Sequence, residues 1–182
     1  TIGRVIAGAV ADQILDLYNI KICAYVSQVG NIKLDHVPKD LERDMVDINI
    51  SRCPNKHLAL AIEDLILKLK SEGNSVGGKV TCVIKNCPKG LGEPVFDKTE
   101  ALLAQAMMSI PATKGFEIGS GFKCIEQFGS CHNDRWVNNN GNIGTSTNNN
   151  GGIIGGITNG ENIVFSVAFK PPATILMDQN TI

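Results

Sequence analysis

The chain has 182 residues, 43% of them hydrophobic, and sets 17 basic against 18 acidic side chains for a net charge of −1. That is enough apolar material for one core and one domain over residues 1–182. A near-neutral balance excludes the broad field that gathers nucleic acid or an anionic membrane surface, so any anion must be held by a local cluster.

Residue 1 is Thr, and Ile6, Val10, Ile14 and Leu17 follow helical spacing almost from the start, which reads as a piece of a longer protein. Asn19 punctuates this first helix. Ile20, Ile22, Ala24 and Val26 then alternate with Lys21, Cys23, Tyr25 and Ser27 as a half-buried strand ending at Gly30. Residues 31–55 are mixed, with breaks at Pro38 and Pro54, and read as a surface excursion. Leu58, Ala61, Ile62, Leu65, Ile66 and Leu69 mark an amphipathic helix. Lys68 and Lys70 sit at its negative end and Gly73 stops it. Val80, Cys82 and Ile84 alternate as a strand, and Pro88, Gly90 and Gly92 turn the chain. A third helix is expected from Asp97 as N-cap with Glu100 three places on, burying Leu103, Ala106, Met107 and Ile110. Pro111 ends it.

Gly115 to Gly129 reads as extended chain interrupted by Gly119 and Gly121. Residues 136–150 are rich in asparagine, offer little to bury against the entropy of ordering, and are expected to form a mobile loop. Ile163, Phe165, Val167 and Phe169 alternate with polar and small residues as the clearest strand. Three helix-then-strand units and a further strand give an α/β (α+β) layered sandwich, with sheet order open.

The six cysteines are spread through helix and strand patterns, which points to reduced thiols in a cytosol-like compartment and to no disulfides. No apolar run is long enough to span a bilayer, and no basic, apolar, small-residue leader of the secretory kind is visible. Gly73–Lys79 fits the spacing of a phosphate-binding loop, but Val80 stands where Ser or Thr would reach a magnesium ion. The segment also leads from helix to strand, the wrong way round. A helix C-terminal turn with glycines at positive φ accounts for it. Cysteine and histidine spacings complete no metal site; His132 beside Cys131 fits a hydrogen-bonding role better than a ligand role, and His36 and His57 read as solvated.

Gly151–Gly156 (GGIIGG) is equally suited to a tight turn at a strand end and to a backbone nest for an anion or a flat ring. Lys170 ends the last strand, with Pro171 and Pro172 holding the backbone extended toward Thr174. That gives a cation and a hydroxyl four residues apart, although an exposed lysine at a strand end is commonly just solvated.

Six blocks carry a resemblance to one family: TIGRVIAGAV at 1–10, GNSVGGKV at 73–80, GLGEPVFDKTEALLAQAMMSIPATKGFEIGSGF at 90–122, GSCHND at 129–134, TNNNGGIIGGITNGE at 147–161 and AFKPPATI at 168–175. In this order they resemble the central part of chorismate synthase, in the form of its eukaryotic branch. The resemblance implies conversion of 5-enolpyruvylshikimate 3-phosphate to chorismate and phosphate by a 1,4-elimination that needs reduced FMN, in a cytoplasmic homotetramer. It implies flavin contacts from Pro111 and Ala112, from Gly155, and from Lys170, Pro171, Pro172, Ala173 and Thr174. Some members of that branch also use NADPH to reduce the flavin. The family's F-G-E-S-H-G, G-H-A-D and R-H-D-P blocks and its arginine-rich segments do not occur in these residues, so no histidine here is a catalytic candidate. Asn74 stands where the family usually has aspartate. The expectation is a fragment carrying about half of an FMN site and inactive alone. Its rivals are an oligomerisation module of the same fold and an NADPH-dependent flavin reductase fragment.

Overall fold

The computed structural model describes residues 1–36 and 41–180, which leaves the break expected at Pro38 outside the described residues. Its first helix, α1, runs Ile2–Leu17 and is followed by strands β1 (Lys21–Val29) and β2 (Ile32–Lys33), then helices α2 (Arg43–Asp47) and α3 (Lys56–Ser71). Strand β3 (Gly78–Lys85), helix α4 (Thr99–Met108) and strand β4 (Thr113–Ile118) follow. A 3-10 helix at Gly121–Glu126 and the short α5 (Gly129–His132) lead to hairpin strands β5 (Trp136–Asn139) and β6 (Asn142–Thr145). The chain ends with β7 (Ile153–Ile154), β8 (Ile157–Thr158) and β9 (Ile163–Phe169).

Five strands form one sheet in the order β2-β1-β3-β9-β4. Register shows that neighbours run antiparallel, because as one residue number rises its partner's falls. Gln28 pairs with Lys33 and Val29 with Ile32 between β1 and β2. Gly30 N–H donates to Gly77 O (3.1 Å) while Ser27 Oγ reaches Lys79 O (3.2 Å) and Thr81 Oγ1 (2.8 Å). Between β4 and β9, Lys170 N–H donates to Ala112 O (3.0 Å) and Gly119 N–H to Val164 O (2.8 Å). The layered sandwich expected from the sequence is of the α+β kind, and the sheet order left open there is that of an antiparallel sheet.

The chain divides into two compact units. One comprises Thr1–Cys23, Cys82–Ala106 and Glu117–Phe165; the other comprises Ala24–Thr81, Met107–Phe116 and Ser166–Ile182. In the second unit, α3 begins at Asn55, whose side chain accepts Leu58 N–H, and buries Ala59 and Ile62 against Cys53 with Val26, Val29, Ile32 and Leu58 around them. Its end is a Schellman turn: Gly73 (φ 68°) donates to Lys70 O and Asn74 to Leu69 O, closing the orphan carbonyls of the last turn. Glycine is required there, and Lys79 lies on strand β3 rather than at a helix start, so the phosphate-loop spacing is coincidence. Ser27, Thr81 and Ser166 form a chain of hydroxyls across β1, β3 and β9, with both links at 2.8 Å, so that burying Ser27 and Thr81 leaves no orphan hydroxyl there.

Several elements differ from the sequence expectation. The inward face of β1 carries Cys23, Tyr25 and Ser27, while Ile22 is 42% exposed; strand periodicity gives the alternation but not which phase faces the core. Residues 31–55 are more than surface, since Leu41, Val46 and Cys53 are buried. Helix α4 begins at Thr99, two residues after the expected cap. Leu103, Met107 and Ile110 are half-buried, whereas Ala106 is exposed. The stretch expected as extended chain up to Gly129 holds β4 and then the 3-10 helix. Within 136–150, where a loop is expected, β5 and β6 pair from Trp136↔Thr145 to Asn139↔Asn142. Asn140 (φ 53°) and Gly141 (φ 93°) turn the corner as a two-residue hairpin loop of the primed kind. Helix α1 forms where its periodicity places it, yet none of its residues is buried.

Candidate functional site

In the second unit the last strand and the end of α4 are joined by backbone. Ile110 and Thr113 close the turn after α4, where Thr113 Oγ1 donates to Ile110 O (2.8 Å), and Pro111 and Ala112 stand exposed at its tip. Ala112 has φ 70°, a conformation in which its Cβ crowds the carbonyl, costing about 1–2 kcal/mol, and which is held because Lys170 N–H donates to Ala112 O. The corner expected after the central helix and the strand end at Lys170 are therefore one place. Lys170, Pro171, Pro172, Ala173 and Thr174 follow as an exposed strap. Ser75 Oγ donates to Pro172 O (2.7 Å) and Leu176 N–H to Gly73 O (2.8 Å), so the strap is tied to the glycine turn after α3. A cavity of about 570 Å³ lies beside it, lined by Val26, Leu69, Val76, Phe169 and Leu176 and bordered by Pro172 and Thr174. That volume is within the common range of small-molecule sites, about 300–1,000 Å³.

Gly155 belongs to the first unit. It is the first residue of the two-residue turn between β7 and β8, with φ 62°, and Gly156 follows at φ 92°. The turn is seated on the start of α4, because Thr99 N–H donates to Gly156 O (2.9 Å) and the Lys98 stem packs over Gly156. Thr158, buried on β8, binds the Pro88–Leu91 segment: its hydroxyl donates to Pro88 O (2.6 Å) and accepts Leu91 N–H (2.9 Å). A Cβ on Gly155 would meet nothing within 4 Å, so the turn presents an open backbone face. In the same unit, buried Asn159 Nδ2 and Glu100 Oε2 have no hydrogen-bond partner among the described residues.

Asp134, which the spacing of residues does not single out, is buried and accepts four hydrogen bonds. Thr147 Oγ1 and Asn149 N–H reach Oδ1, each at 2.7 Å, and Asn150 N–H and Nδ2 reach Oδ2, each at 2.8 Å. Burial alone would raise its pKa; donation from Asn150, Thr147 and Asn149 outweighs that and holds it below the usual carboxylate value. His132 takes the hydrogen-bonding role expected of it, its Nε2 lying 2.8 Å from Ser120 Oγ. His36 and His57 are exposed. Among the described residues no group of three or more His, Cys, Asp or Glu side chains is arranged to hold a metal ion. Nor is any helix there long and apolar enough to cross a membrane.

Five of the six blocks of the sequence thus meet: 73–80 with 168–175 in one unit, and in the other 129–134 and the first-unit part of 90–122 with 147–161. A family model for chorismate synthase matches residues 1–182, the whole chain. The chain belongs to the chorismate synthase family. The chorismate synthase of Bacteroides fragilis is 53% identical over 182 residues, covering 100% of this chain and 51% of that protein. Those of Cytophaga hutchinsonii and Microcystis aeruginosa are 54% and 52% identical over 183 and 184 residues, with 51% and 50% of their lengths covered. A crystal structure of chorismate synthase superposes with a TM-score of 0.88 at 34% identity, covering 94% of this chain and 55% of that one. The chain therefore spans about half the length of the curated relatives it matches.

Proposed function

We propose that this chain carries part of the FMN site of a chorismate synthase, which converts 5-enolpyruvylshikimate 3-phosphate to chorismate and phosphate by 1,4-elimination. The observation that carries the proposal is the bond from Lys170 N–H to Ala112 O. It joins two of the segments that the family resemblance implies in flavin contact, and its acceptor is the carbonyl of Ala112, whose φ of 70° is strained for a residue with a Cβ.

The residues present suit such a cofactor. Pro111 and Ala112 offer a small, rigid, apolar edge to a flat ring, and the cavity beside Pro172 and Thr174 is apolar and of suitable volume. Lys170 supplies an exposed cation and Thr174 a hydroxyl, a pairing that suits a phosphate-bearing chain. Gly155 offers backbone with no side chain in the way. Reduced FMN, when bound, supplies the electron chemistry of the elimination; the protein's share is to bind, orient and exclude water. No acid-base role falls to His36, His57 or His132. The first two are solvated and the third is engaged with Ser120. A cytoplasmic homotetramer, with NADPH as a reductant, completes the proposal on the family's pattern.

The test is chorismate formation, followed by absorbance, from the substrate and reduced FMN. The 182-residue chain alone is expected to form none. When the family's histidine- and arginine-bearing segments are supplied as a second polypeptide from the Bacteroides fragilis enzyme, activity is expected to appear and to fall at least tenfold with Lys170→Ala. Activity of the chain alone, or indifference of the reconstituted enzyme to Lys170→Ala, contradicts the proposal. A second reading, an oligomerisation module of the same fold, is favoured by the exposed apolar face of α1. It predicts reconstitution with flavin affinity untouched by Lys170→Ala.

A further inference from the structure

We infer that Asp134 is a positioning residue for the glycine turn: its carboxylate clamps the Asn-rich turn at 147–150 and thereby sets the course of Gly151 to Gly156, on which Gly155 is presented. The functional weight of this rests on the proposed contact between Gly155 and the flavin, whereas the clamp itself does not.

The connections can be followed atom by atom within one unit. The carboxylate fixes Thr147, Asn149 and Asn150 through the four bonds given above. From the same turn, Asn148 Oδ1 accepts Gly152 N–H (2.7 Å), Asn148 O accepts Gly151 N–H (3.1 Å), and Asn148 Nδ2 donates to Asn162 O (2.8 Å). Gly151 and Gly152, at φ 64° and 82°, then feed β7, and Asn159 N–H returns from the end of β8 to Gly152 O (3.0 Å). Both ends of the β7–β8 hairpin therefore hang on a turn whose amides are satisfied by one carboxylate. Each glycine is free to take many conformations, so the run has little intrinsic preference for the observed path and needs an external anchor. An apolar anchor has no acceptors to offer two successive amides, and a neutral amide in place of Asp134 has one oxygen where the carboxylate has two.

Other polar groups reach the same turn. Asn149 Nδ2 donates to His132 O (3.0 Å), Ser120 N–H donates to Asn149 O (2.8 Å), and Ser120 Oγ pairs with the His132 ring. Glu161 Oε1 accepts Thr145 N–H (2.9 Å) at the start of the segment, and Arg135 O accepts Ser146 N–H (2.8 Å). The titratable groups around Asp134 are thus His132, Arg135 and Glu161. Of these, Glu161 is the other carboxylate, and Glu161→Gln serves as the control.

Backbone amide exchange of the 182-residue chain, resolved by NMR, tests the clamp. In Asp134→Asn, exchange at Asn149 to Gly152 and across β7 and β8 is expected to quicken at least tenfold, with amides of α3 and β1 unchanged. In the parent chain, protection of those same amides is expected to fall as pH drops below the usual carboxylate range, and to fall likewise in Glu161→Gln but not in Asp134→Asn. Unchanged exchange at 149–158 in Asp134→Asn, or an acid step that persists in it, overturns the inference. Should Asp134→Asn fail to fold by near-ultraviolet circular dichroism, Thr147→Val removes one donor from the same carboxylate and is read in the same way, with a smaller rise. FMN titration of the reconstituted enzyme separates the two claims. Weakening of at least tenfold in Asp134→Asn, measured well below the melting temperature of that variant, supports positioning of a cofactor contact. Loosened amides with unchanged flavin affinity preserve the clamp and remove Gly155 from the flavin site.

Discussion

A single added methyl distinguishes the glycines that the backbone demands from the one that the proposed site demands. At Gly119 (φ 57°) a Cβ would run into Asn149 O and lie 2.5 Å from Gly151 N, both main-chain atoms that cannot step aside. Left-handed strain and overpacking together put Gly119→Ala at a loss of about 3 kcal/mol, measurable by urea denaturation. At Gly155 (φ 62°) the methyl meets open space, so Gly155→Ala should lose only about 1 kcal/mol and keep its fold. The cysteines divide in a similar way. Burial, with a smaller push from the neighbouring Cys23, raises the Cys82 thiol to about 12, and burial also raises Cys87. Cys124 and Cys131 are exposed. Iodoacetamide at pH 8 should modify Cys124 and Cys131 in the native chain and spare Cys82 and Cys87 until denaturant is added, as peptide mass mapping would show. Asp134 sets part of the acid limit. Its folded pKa lies below its unfolded one, so its contribution to stability is complete above the ordinary carboxylate range and is lost as pH falls through the lower, folded value.

Elements whose local signal and burial agree are the ones that composition and spacing reveal. Helix α3 has an Asn cap, an apolar stripe, terminal lysines and a glycine stop, and all four features act where they stand. Asn55→Ala should therefore cost about 1 kcal/mol in thermal melts, because Leu58 N–H loses its acceptor. Strand β9 is as legible, with Ile163, Phe165 and Val167 all buried. Strand β1 is half legible: Tyr25, 1% exposed, packs inward because aromatic and small residues on that side fit the core, and alternation by itself cannot choose the side. The β5–β6 hairpin hides behind its composition, although Asn140–Gly141 is a strong two-residue turn signal once the flanking residues are considered as strands. The 3-10 helix and α5 have too few residues for any period to show. Of the site, the meeting of Ala112 and Lys170 depends on the β4–β9 register, which no spacing reveals, and Asp134 carries no signal of its role beyond closing the GSCHND block just before an Asn-rich run. What points to Pro111 and Ala112 in the sequence is family resemblance, whereas the glycine run at 151–156 and the Lys170–Thr174 pair carry a signal of their own that a plain turn and a solvated lysine explain as well.

At the scale of the whole molecule, α1 is the element out of balance. Sixteen residues of helix bury no side chain, and the face made by Ile6, Val10, Ile14 and Leu17 is 54–83% exposed. A helix of that length is marginal in water without a packed face, and a stripe of this size is the kind of surface that soluble proteins cover. For the 182-residue chain by itself, the available cover is a second copy. Sedimentation velocity should accordingly show association that rises with concentration, and Val10→Asp should shift it toward monomer. Because Val10 contributes nothing to the core, Val10→Asp should leave the urea midpoint of the rest of the chain within about 0.5 kcal/mol of the parent, as surface changes generally do. A parent chain that stays monomeric at high concentration, or a Val10→Asp variant that associates as before, would show that the face is covered in some other way. Adding the complementary segments of the Bacteroides fragilis enzyme supplies a competing cover. If they bury α1, they should dissolve the self-association of the parent chain at the stoichiometry at which they bind, and Val10→Asp should weaken their binding in the same experiment.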